Sequence, residues 1–268
     1  MLAPPLMTTP RWTGIDTATP NARATFLFLH GFPFDHRIWR EQYHRLPSQG
    51  IRAIAPDLPG FGGSELASDV DCVTMDEYAD SLIRLLDHLQ VTTPLTVVGL
   101  SMGGYIALAM VELFASRVDR LILCDTRSES DSPETVANRL RTAEQALREP
   151  SAEFLADGMI PKLLSSQSRE QRPELESLVR STMRVASPRG VAAAARGMTQ
   201  RPDRSHVLRH IAIPVDFVVG DQDTFSPPAV MENMRQMVPP SVPTRMTIVP
   251  NAAHLAPLEL KRENDPIS

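Results

Sequence analysis

The feature that most constrains the fold is an alternation of short apolar runs with longer amphipathic stretches, which begins at residue 25. Short apolar runs bounded by turn residues are typical of strands covered on both faces, and helical stretches between them are typical of crossover connections. We therefore expect an α/β fold, with a mostly parallel sheet and helices on both of its faces. The predicted strands are residues 25–29, 51–55, 95–100, 120–124, 215–219 and 245–249.

Two helices are predicted from the pattern of apolar positions. Residues 75–89 carry apolar side chains at helical spacing, and Thr74 with Glu77 has the form of a capping box. Residues 102–115 are apolar on most sides, so this helix should be buried against the sheet.

The alternation is interrupted between residues 127 and 210. Helical stretches separated by Pro and Gly occur there, and none of them has a convincing strand pattern. We expect a helical cap inserted over the ends of the strands. The predicted organisation is a poorly structured lead (1–24), a core domain (25–126 and 211–268) and the cap (127–210).

Composition and charge exclude some classes of function. The 268 residues include 27 Lys and Arg against 32 Asp and Glu, which gives no electrostatic reason to expect nucleic acid as a partner. No apolar run is long enough to span a membrane. Cys72 and Cys124 form neither a disulfide framework nor a metal-ligand pattern, so a reduced, cytoplasmic setting is expected. Arg139 and Arg141 are expected on a solvated helix face.

The most informative motif is GLSMG at residues 99–103, which directly follows a predicted strand and precedes a predicted helix. In that context GxSxG is typical of a nucleophile elbow, a strained turn that projects the serine hydroxyl above the sheet. A small residue at a strand-to-helix junction would satisfy the same spacing. Ser101 is a candidate nucleophile only if other loops supply a base and an acid.

Other strand ends carry the groups that such a nucleophile needs. Asp221 and Asp223 follow the fifth predicted strand, and His254 follows the sixth. Because parallel strands end at the same edge of a sheet, Ser101, one of these aspartates and His254 should converge there. The chain order Ser, Asp, His is the order expected for this architecture.

With these motifs and two earlier ones, the chain resembles the α/β-hydrolase family. The earlier motifs are the pair His30-Gly31, after the first strand, and DLPGFGGS at 57–64. The resemblance implies that Asp223, the last residue of Gly-x-x-Asp, is the acid and that Asp221 is a turn residue. Asp125, at the end of the fourth strand, is a further candidate acid, since some members of the family take their acid from that strand. It also implies that His30 supports a loop without transferring a proton.

The resemblance further implies an oxyanion hole formed by the backbone N–H groups of Phe32 and Met102. The side chains of Phe32, Met102, Met159 and Leu255 are candidate substrate contacts. Other cap side chains either contribute pocket walls or pack inside the cap: Leu163, Leu164, Met183 and Met198. No metal and no cofactor is expected.

The function that the resemblance implies is hydrolysis of carboxylic esters through an acyl-enzyme, with His254 as base and Asp223 as its orienting acid. The motifs are similar to those of small carboxylesterases, enol-lactone hydrolases and cofactor-free haloperoxidase-type perhydrolases. Lactone hydrolysis and perhydrolysis with the same residues therefore stay open. A small-molecule receptor with little turnover is the alternative from another class, because fold alone does not fix function. The expected partner is a small ester or lactone.

The chain departs from the family pattern near both ends. The early antiparallel strands should be shortened or missing. In NAAH at 251–254, Asn251 stands where glycine is commoner, and asparagine tolerates the left-handed conformation. Little sequence remains after His254 for a final covering helix. We expect an exposed apolar face there, with marginal stability or a homo-oligomer as its consequence.

Overall fold

The computed structural model describes residues 11–260 and residue 267. Within them, seven strands form one sheet in the order β1-β3-β2-β4-β5-β6-β7. β1 runs antiparallel to β3, and the other neighbouring strands are parallel. The strands are β1 Gly14–Asp16, β2 Ala24–Leu29, β3 Ile51–Pro56, β4 Leu95–Leu100, β5 Val118–Cys124, β6 Val215–Gly220 and β7 Thr244–Val249.

Helices connect the strands and cover the sheet. Short 3-10 turns accompany them at His36–Trp39, Leu46–Gln49, Ala115–Arg117 and Ala152–Leu155. The α-helices are α1 Arg40–Arg45, α2 Met75–His88, α3 Met102–Leu113, α4 Pro133–Ala146, α5 Ala156–Leu163, α6 Ser166–Gln171, α7 Pro173–Val185, α8 Pro188–Thr199, α9 Ser205–His210, α10 Pro228–Met237 and α11 Ala256–Glu259. None of the described helices is long and apolar enough to cross a membrane.

The burial of the central elements follows from their composition. All residues of β4 and β6 are buried, as expected of strands covered on both faces. α3 is buried over its first ten residues, which confirms the prediction from its apolar surface. At the start of α2, Thr74 Oγ1 accepts the N–H of Glu77 and the Glu77 carboxylate accepts the N–H of Thr74, so the predicted capping box is present.

The six predicted strands are confirmed. The largest difference is at β5, which begins at Val118 rather than at residue 120. The lead differs from the expectation: its residues 1–10 lie outside the described part, but β1 forms in the remainder and Trp12 is buried. The short β1 has no periodic pattern of its own. Its structure comes from pairing along β3, so sequence reasoning could not find it.

The chain between β5 and β6 forms helices α4 to α9, and the structure describes no strand there. α4 and α8 pack against each other, and the alanine run of α8 is buried in this contact. Arg204, just before α9, joins this region to the core through Asp76 of α2 and Glu112 of α3. The helices thus lie where the cap was expected, while the domain limits 127–210 stay a prediction.

The order of the strands determines where a site can form. From β2 the chain moves to β3 on one side, and it then crosses back to place β4 on the other side of β2. In doubly wound sheets, ligands bind in the crevice at the carboxyl ends of strands where the order reverses in this way. His30 follows β2 and Ser101 follows β4, so both residues lie at this crevice.

The last helix in the described part of the chain is short. α11 has four residues, and residues 261–266 and 268, which belong to the predicted core domain, lie outside the described part. On β7, at the edge of the sheet, the side chain of Ile248 is half exposed. The predicted exposed apolar face and its consequence for assembly stay a prediction.

Candidate active site

Ser101 occupies a strained turn between β4 and α3. Its backbone angles are φ 51° and ψ −114°, a combination that a residue with a Cβ rarely adopts. The N–H of Ser101 donates to the carbonyl of Cys124, and its carbonyl accepts the Thr126 hydroxyl at 2.8 Å. α3 starts so close to β2 that a Cβ on Gly103 would collide with the carbonyl of Leu29. The strained turn predicted at Ser101 is present.

His254 lies between Ser101 and Asp223. Its Nε2 is 2.9 Å from the hydroxyl oxygen of Ser101, and its Nδ1 is 2.9 Å from Oδ2 of Asp223. In a neutral ring, Nδ1–H donates to Asp223 and Nε2 is left to accept the Ser101 proton. The three side chains that were expected to converge at the strand ends are therefore connected by hydrogen bonds.

The carboxylate of Asp223 is held in its charged form. Its Oδ1 accepts the N–H groups of Phe225 and Ser226, and its Oδ2 accepts the Ser226 hydroxyl at 2.6 Å. Burial alone would raise the pKa of Asp223, but the charge and hydrogen bond of His254 and the bonds from Ser226 outweigh it and hold the pKa below its usual value. A charged Asp223 is the form that stabilises a protonated His254.

Asp125, the other candidate acid, has different partners. Its two carboxylate oxygens accept the N–H groups of Gly220 and Ala256, each at 3.0 Å. Burial, and next the charge of Asp223, raise the pKa of Asp125 well above its usual value. Among its described contacts Asp125 has no hydrogen bond to His254. Its position instead joins the end of β6 to the start of α11.

The loops that carry Asp223 and His254 are bonded to each other. The side chain of Asp221 accepts the N–H of Ala252 at 3.3 Å, and the N–H of Gln222 donates to the carbonyl of Ala252 at 2.9 Å. Asp221 is thus a turn residue, as expected. Asn251 adopts φ 55°, which confirms that asparagine takes the left-handed conformation here.

Among the described residues, no acceptor is found for the backbone N–H groups of Phe32 and Met102, which lie near Ser101. Met102 is the first residue of α3, where N–H groups have no partner within the helix and the helix dipole favours negative charge. Both N–H groups are therefore available to a ligand, which is the condition that the predicted oxyanion hole requires.

His30 fixes the loop that carries Phe32. Its Nδ1 donates to the carbonyl of Gly31 at 2.9 Å, and its Nε2 accepts the N–H of Leu58 at 3.0 Å. Burial lowers the pKa of His30, so the ring is neutral and both of its nitrogens are occupied. This is the supporting position that was expected of His30.

A cavity of about 250 Å³ adjoins Ser101 and His254. Its wall contains aromatic, apolar and charged side chains from both the core and the cap region. The residues are Phe32, Ser101, Tyr105, Arg127, Asp131, Thr135, Arg139, Met159, Met198, Thr224, Phe225, Ser226 and His254.

The family of the chain is shown by its sequence. Residues 26–264 match the profile of the alpha/beta hydrolase family. The chain belongs to the α/β-hydrolase family. This α/β-hydrolase is similar to a thermophilic esterase from Thermogutta terrifontis that was solved with malate bound, at 39% identity and a TM-score of 0.87, over 93% of this chain and 88% of that chain.

Two further relatives of this α/β-hydrolase differ in activity. The pimeloyl-[acyl-carrier protein] methyl ester esterase of Neisseria meningitidis is 25% identical over 243 residues, which are 88% of this chain and 72% of that protein. The enol-lactonase of Burkholderia xenovorans LB400 has a TM-score of 0.82 over 93% of this chain and 92% of its own, and its 23% identity supports the fold alone.

The candidate substrate contacts of this α/β-hydrolase separate into two groups. Phe32, Met159 and Met198 line the cavity. Met102 and Leu255 are fully buried and lie outside its wall, contrary to the expectation. Met102 is packed in the core at the start of α3, and the N–H of Leu255 donates to the carbonyl of Leu163.

The cap residues Leu163, Leu164 and Met183 belong to the packed interior of the α/β-hydrolase. None of them is in the wall of the cavity, so the structure favours packing inside the cap. Met159 and Met198 differ because the cap helices that carry them turn these two side chains toward the cavity.

The prediction for Arg139 was wrong, whereas Arg141 is exposed as expected. Arg139 lines the cavity, and its Nε donates to Asp131 at 2.6 Å. Asp131 also accepts a hydrogen bond from Arg201 at 2.8 Å. No helical pattern identifies this cluster, because its residues come from a loop before α4, from α4 itself and from the segment after α8.

Other residues of the wall were missed although the sequence carried a signal for some of them. Phe225 and Ser226 lie in the loop of Asp223, and Tyr105 lies one turn after Ser101 on α3. The ring of Phe225 is 4.8 Å from that of His254, measured between centroids. Their closeness in sequence to predicted site residues would have been enough to suggest them.

A second group of titratable side chains is Asp35, His36 and Asp57, whose potential metal-ligand atoms lie within 4.8 Å of one another. Arg37 forms an ion pair with Asp35 at 2.7 Å, and Nδ1 of His36 is 2.7 Å from Asp57. These contacts engage both carboxylates in ion pairs or hydrogen bonds within the fold.

Proposed function

We propose that this protein hydrolyses carboxylic esters by forming an acyl-enzyme on Ser101. The observation that carries the proposal is the series of hydrogen bonds from Ser101 through His254 to Asp223, beside a cavity. A serine hydroxyl is a weak nucleophile unless an adjacent base takes its proton, and this arrangement supplies the base and the group that orients it.

In the first step, the hydroxyl oxygen of Ser101 attacks the ester carbonyl while its proton moves to Nε2 of His254. The charged Asp223, bonded to Nδ1, stabilises the imidazolium that forms. The carbonyl oxygen becomes an oxyanion. The N–H groups of Phe32 and Met102 stabilise it, and losing one such donor typically costs about 10²- to 10³-fold in rate.

In the next steps, the tetrahedral intermediate collapses and the alcohol leaves with the proton from His254. The acyl group stays on Ser101. Water then attacks the acyl carbonyl, gives a proton to His254 and releases the carboxylic acid, and the proton returns to Ser101. The atoms balance with ester and water alone.

The family and the size of the cavity support this reaction. The relative from Thermogutta terrifontis, at 39% identity, is an esterase. A cavity of about 250 Å³ is at the small end for ligand sites, so we propose a preference for short acyl chains.

The test is hydrolysis of p-nitrophenyl acetate and p-nitrophenyl butyrate by the wild type, Ser101→Ala and Ser177→Ala. Ser177 lies on α7, and its described side-chain hydrogen bond is to the backbone of its own helix, so it is the matched control. We expect Ser101→Ala to lose about 10⁴-fold or more in kcat and Ser177→Ala to lose nothing. Equal rates for the wild type and Ser101→Ala would remove the proposal. Binding of these esters without hydrolysis would favour the alternative of a small-molecule receptor.

A further inference from the structure

One part of the cavity wall is charged. Arg127, Asp131 and Arg139 reach the cavity from the region between β5 and the middle of α4. The proposed mechanism uses none of them, because attack on a neutral ester needs only the groups around Ser101. Charged side chains beside the reacting serine therefore point to a further requirement of the substrate.

The charges in this wall do not balance. Asp131 is the one carboxylate shared by Arg139 and by Arg201, at 2.6 and 2.8 Å. Because one carboxylate faces two guanidinium groups, one positive charge is not neutralised. Arg127 adds a second, because the described bond of its guanidinium is to the backbone carbonyl of Phe225 and not to a carboxylate.

Neighbouring charges do not cancel this excess. The carboxylate of Asp223 is bound by His254 and by the donors of its own loop, and it is not in the wall of the cavity. Lys162 lies 5.9 Å from the ring of Phe225, another residue of the wall, and adds a positive charge on that side. The cavity is thus positive next to a buried reaction centre.

Arg139 also has hydrogen-bonding capacity to spare. Its Nε and, at 3.5 Å, its Nη2 donate to Asp131, and Tyr105 is a further hydrogen-bond partner. Its Nη1 donates to the sulfur of Met198, which is a weak acceptor. The guanidinium carbon of Arg201 lies 4.0 Å from the centre of the Tyr105 ring, and this contact fixes the position of Arg201. Arg201 in turn holds Asp131 in place. The arrangement orients Arg139 and leaves its Nη1, now on a weak sulfur acceptor, able to bind a better one.

From these charges we propose that the substrate is an acidic ester, with a free carboxylate that Arg127 and Arg139 bind while Ser101 attacks the ester carbonyl. The proposal rests on the proposed ester hydrolysis. Guanidinium groups suit this role because their planar donors match a carboxylate, and bonds between two charged groups are stronger than neutral ones. Dicarboxylic acids esterified at one end are the simplest members of this substrate class.

The test compares monomethyl with dimethyl esters of succinate, glutarate and adipate, with acid release followed by titration. The variants are Arg127→Gln and Arg139→Gln, and Arg139→Lys keeps the charge but not the planar donors. Arg141→Gln is the matched control, because Arg141 lies on the same helix, is exposed and is outside the wall. p-Nitrophenyl acetate is the neutral reference substrate for every variant.

We expect the wild type to have a kcat/KM at least tenfold higher for the best monomethyl ester than for its dimethyl counterpart. Arg127→Gln and Arg139→Gln should each lower the value for the monomethyl ester about 10- to 100-fold, which is a larger loss than the same variant shows for p-nitrophenyl acetate. Arg139→Lys should keep part of the preference for the monomethyl over the dimethyl ester, and Arg141→Gln should keep all of this preference. Added salt should reduce the preference.

Equal kcat/KM for the monomethyl and dimethyl esters would overturn the inference, and so would variants that affect acidic and neutral esters alike. In both cases, activity of the wild type on p-nitrophenyl acetate would leave the proposed ester hydrolysis intact. A wild type that hydrolyses none of these esters would contradict the proposed function itself.

Discussion

Asp125 and Asp223 show how neighbouring residues decide the properties of two buried carboxyl groups. Both follow strands of the parallel sheet. Asp125 accepts two backbone N–H groups from different segments, and burial raises its pKa. Asp223 bonds to His254, and its pKa lies below the usual value. Asp125 is therefore suited to hold loops together, and Asp223 to stabilise a positive charge.

The first prediction separates these two positions. Asp223→Asn should lower kcat by about 10⁴-fold, because the ring of His254 loses its orientation and its countercharge. Asp125→Asn should keep kcat within about tenfold and lower the free energy of unfolding by about 1–3 kcal/mol, because one buried N–H loses its acceptor. Ester kinetics and urea unfolding of both variants check this. Equal losses of kcat in the two variants would contradict the separate roles.

The second prediction concerns Asp57 and acid. Burial alone would raise the pKa of Asp57, but the hydrogen bonds and charge of His36 and the hydroxyl of Thr13 lower it from 3.8 to about 2. Since the folded pKa is the lower one, Asp57 stabilises the fold above pH 3.8, and this contribution is lost as the pH falls toward 2.

Asp57→Asn should therefore lower the free energy of unfolding by about 2 kcal/mol near neutral pH and flatten its dependence between these pH values. Urea unfolding at a series of pH values is the measurement, with exposed Asp119→Asn as the control. A wild-type pH dependence in the Asp57 variant would show that this carboxyl group is not the cause.

Among the secondary-structure elements, α11 and α6 are joined through one buried side chain. Glu259 of α11 accepts the N–H of Ala253 at 2.6 Å with one carboxylate oxygen. Its other oxygen accepts the N–H and the hydroxyl of Ser165, at the start of α6, at 2.9 and 2.8 Å. The loop before His254 is thereby held to the cap helices.

The third prediction tests this connection. Glu259→Gln should lower the free energy of unfolding by about 1–3 kcal/mol, since the amide nitrogen cannot accept the N–H that the lost oxygen accepted. It should also lower kcat more than it changes KM, because His254 loses its fixed position. Ser165→Ala, which removes one of the three bonds, should show a smaller effect of the same kind. A change in KM alone would indicate that Glu259 acts only through the cap.

Elements covered on both faces are the ones that the sequence predicted well. β4, β6 and α3 carry an apolar pattern because they are buried, and this pattern predicts both their type and their place. The convergence of Ser101, His254 and one of two aspartates followed from the same reasoning, because parallel strands end at one edge. The choice of Asp223 over Asp221 came from the resemblance to α/β-hydrolases.

The elements and contacts that were missed depend on tertiary packing. β1 exists through its pairing with β3, and the charged wall exists because α4 packs on α8 and turns Arg139 toward Asp131. Met102 and Leu255 stand next to predicted catalytic residues, yet their side chains point into the core. Nearness in sequence gives the position of a backbone but not the direction of a side chain.

For the whole molecule, the apolar surface at β7, at the edge of the sheet, bears on assembly. Ile248 is half exposed there, and the described α11 is short. The fourth prediction is that the protein sediments as an oligomer, or else as a monomer of low unfolding free energy that binds an apolar dye. A stable monomer that binds no dye would contradict it.

Ser101 is the group that we propose carries the acyl intermediate. The most direct test is to react the wild type, Ser101→Ala and His254→Ala with p-nitrophenyl butyrate, quench in acid and map the acylated peptide by mass spectrometry. We expect the wild type to carry one butyryl group on the peptide that contains Ser101 and the two variants to carry almost none. A wild type acylated at another residue, or Ser101→Ala releasing p-nitrophenol at the wild-type rate, would contradict the account.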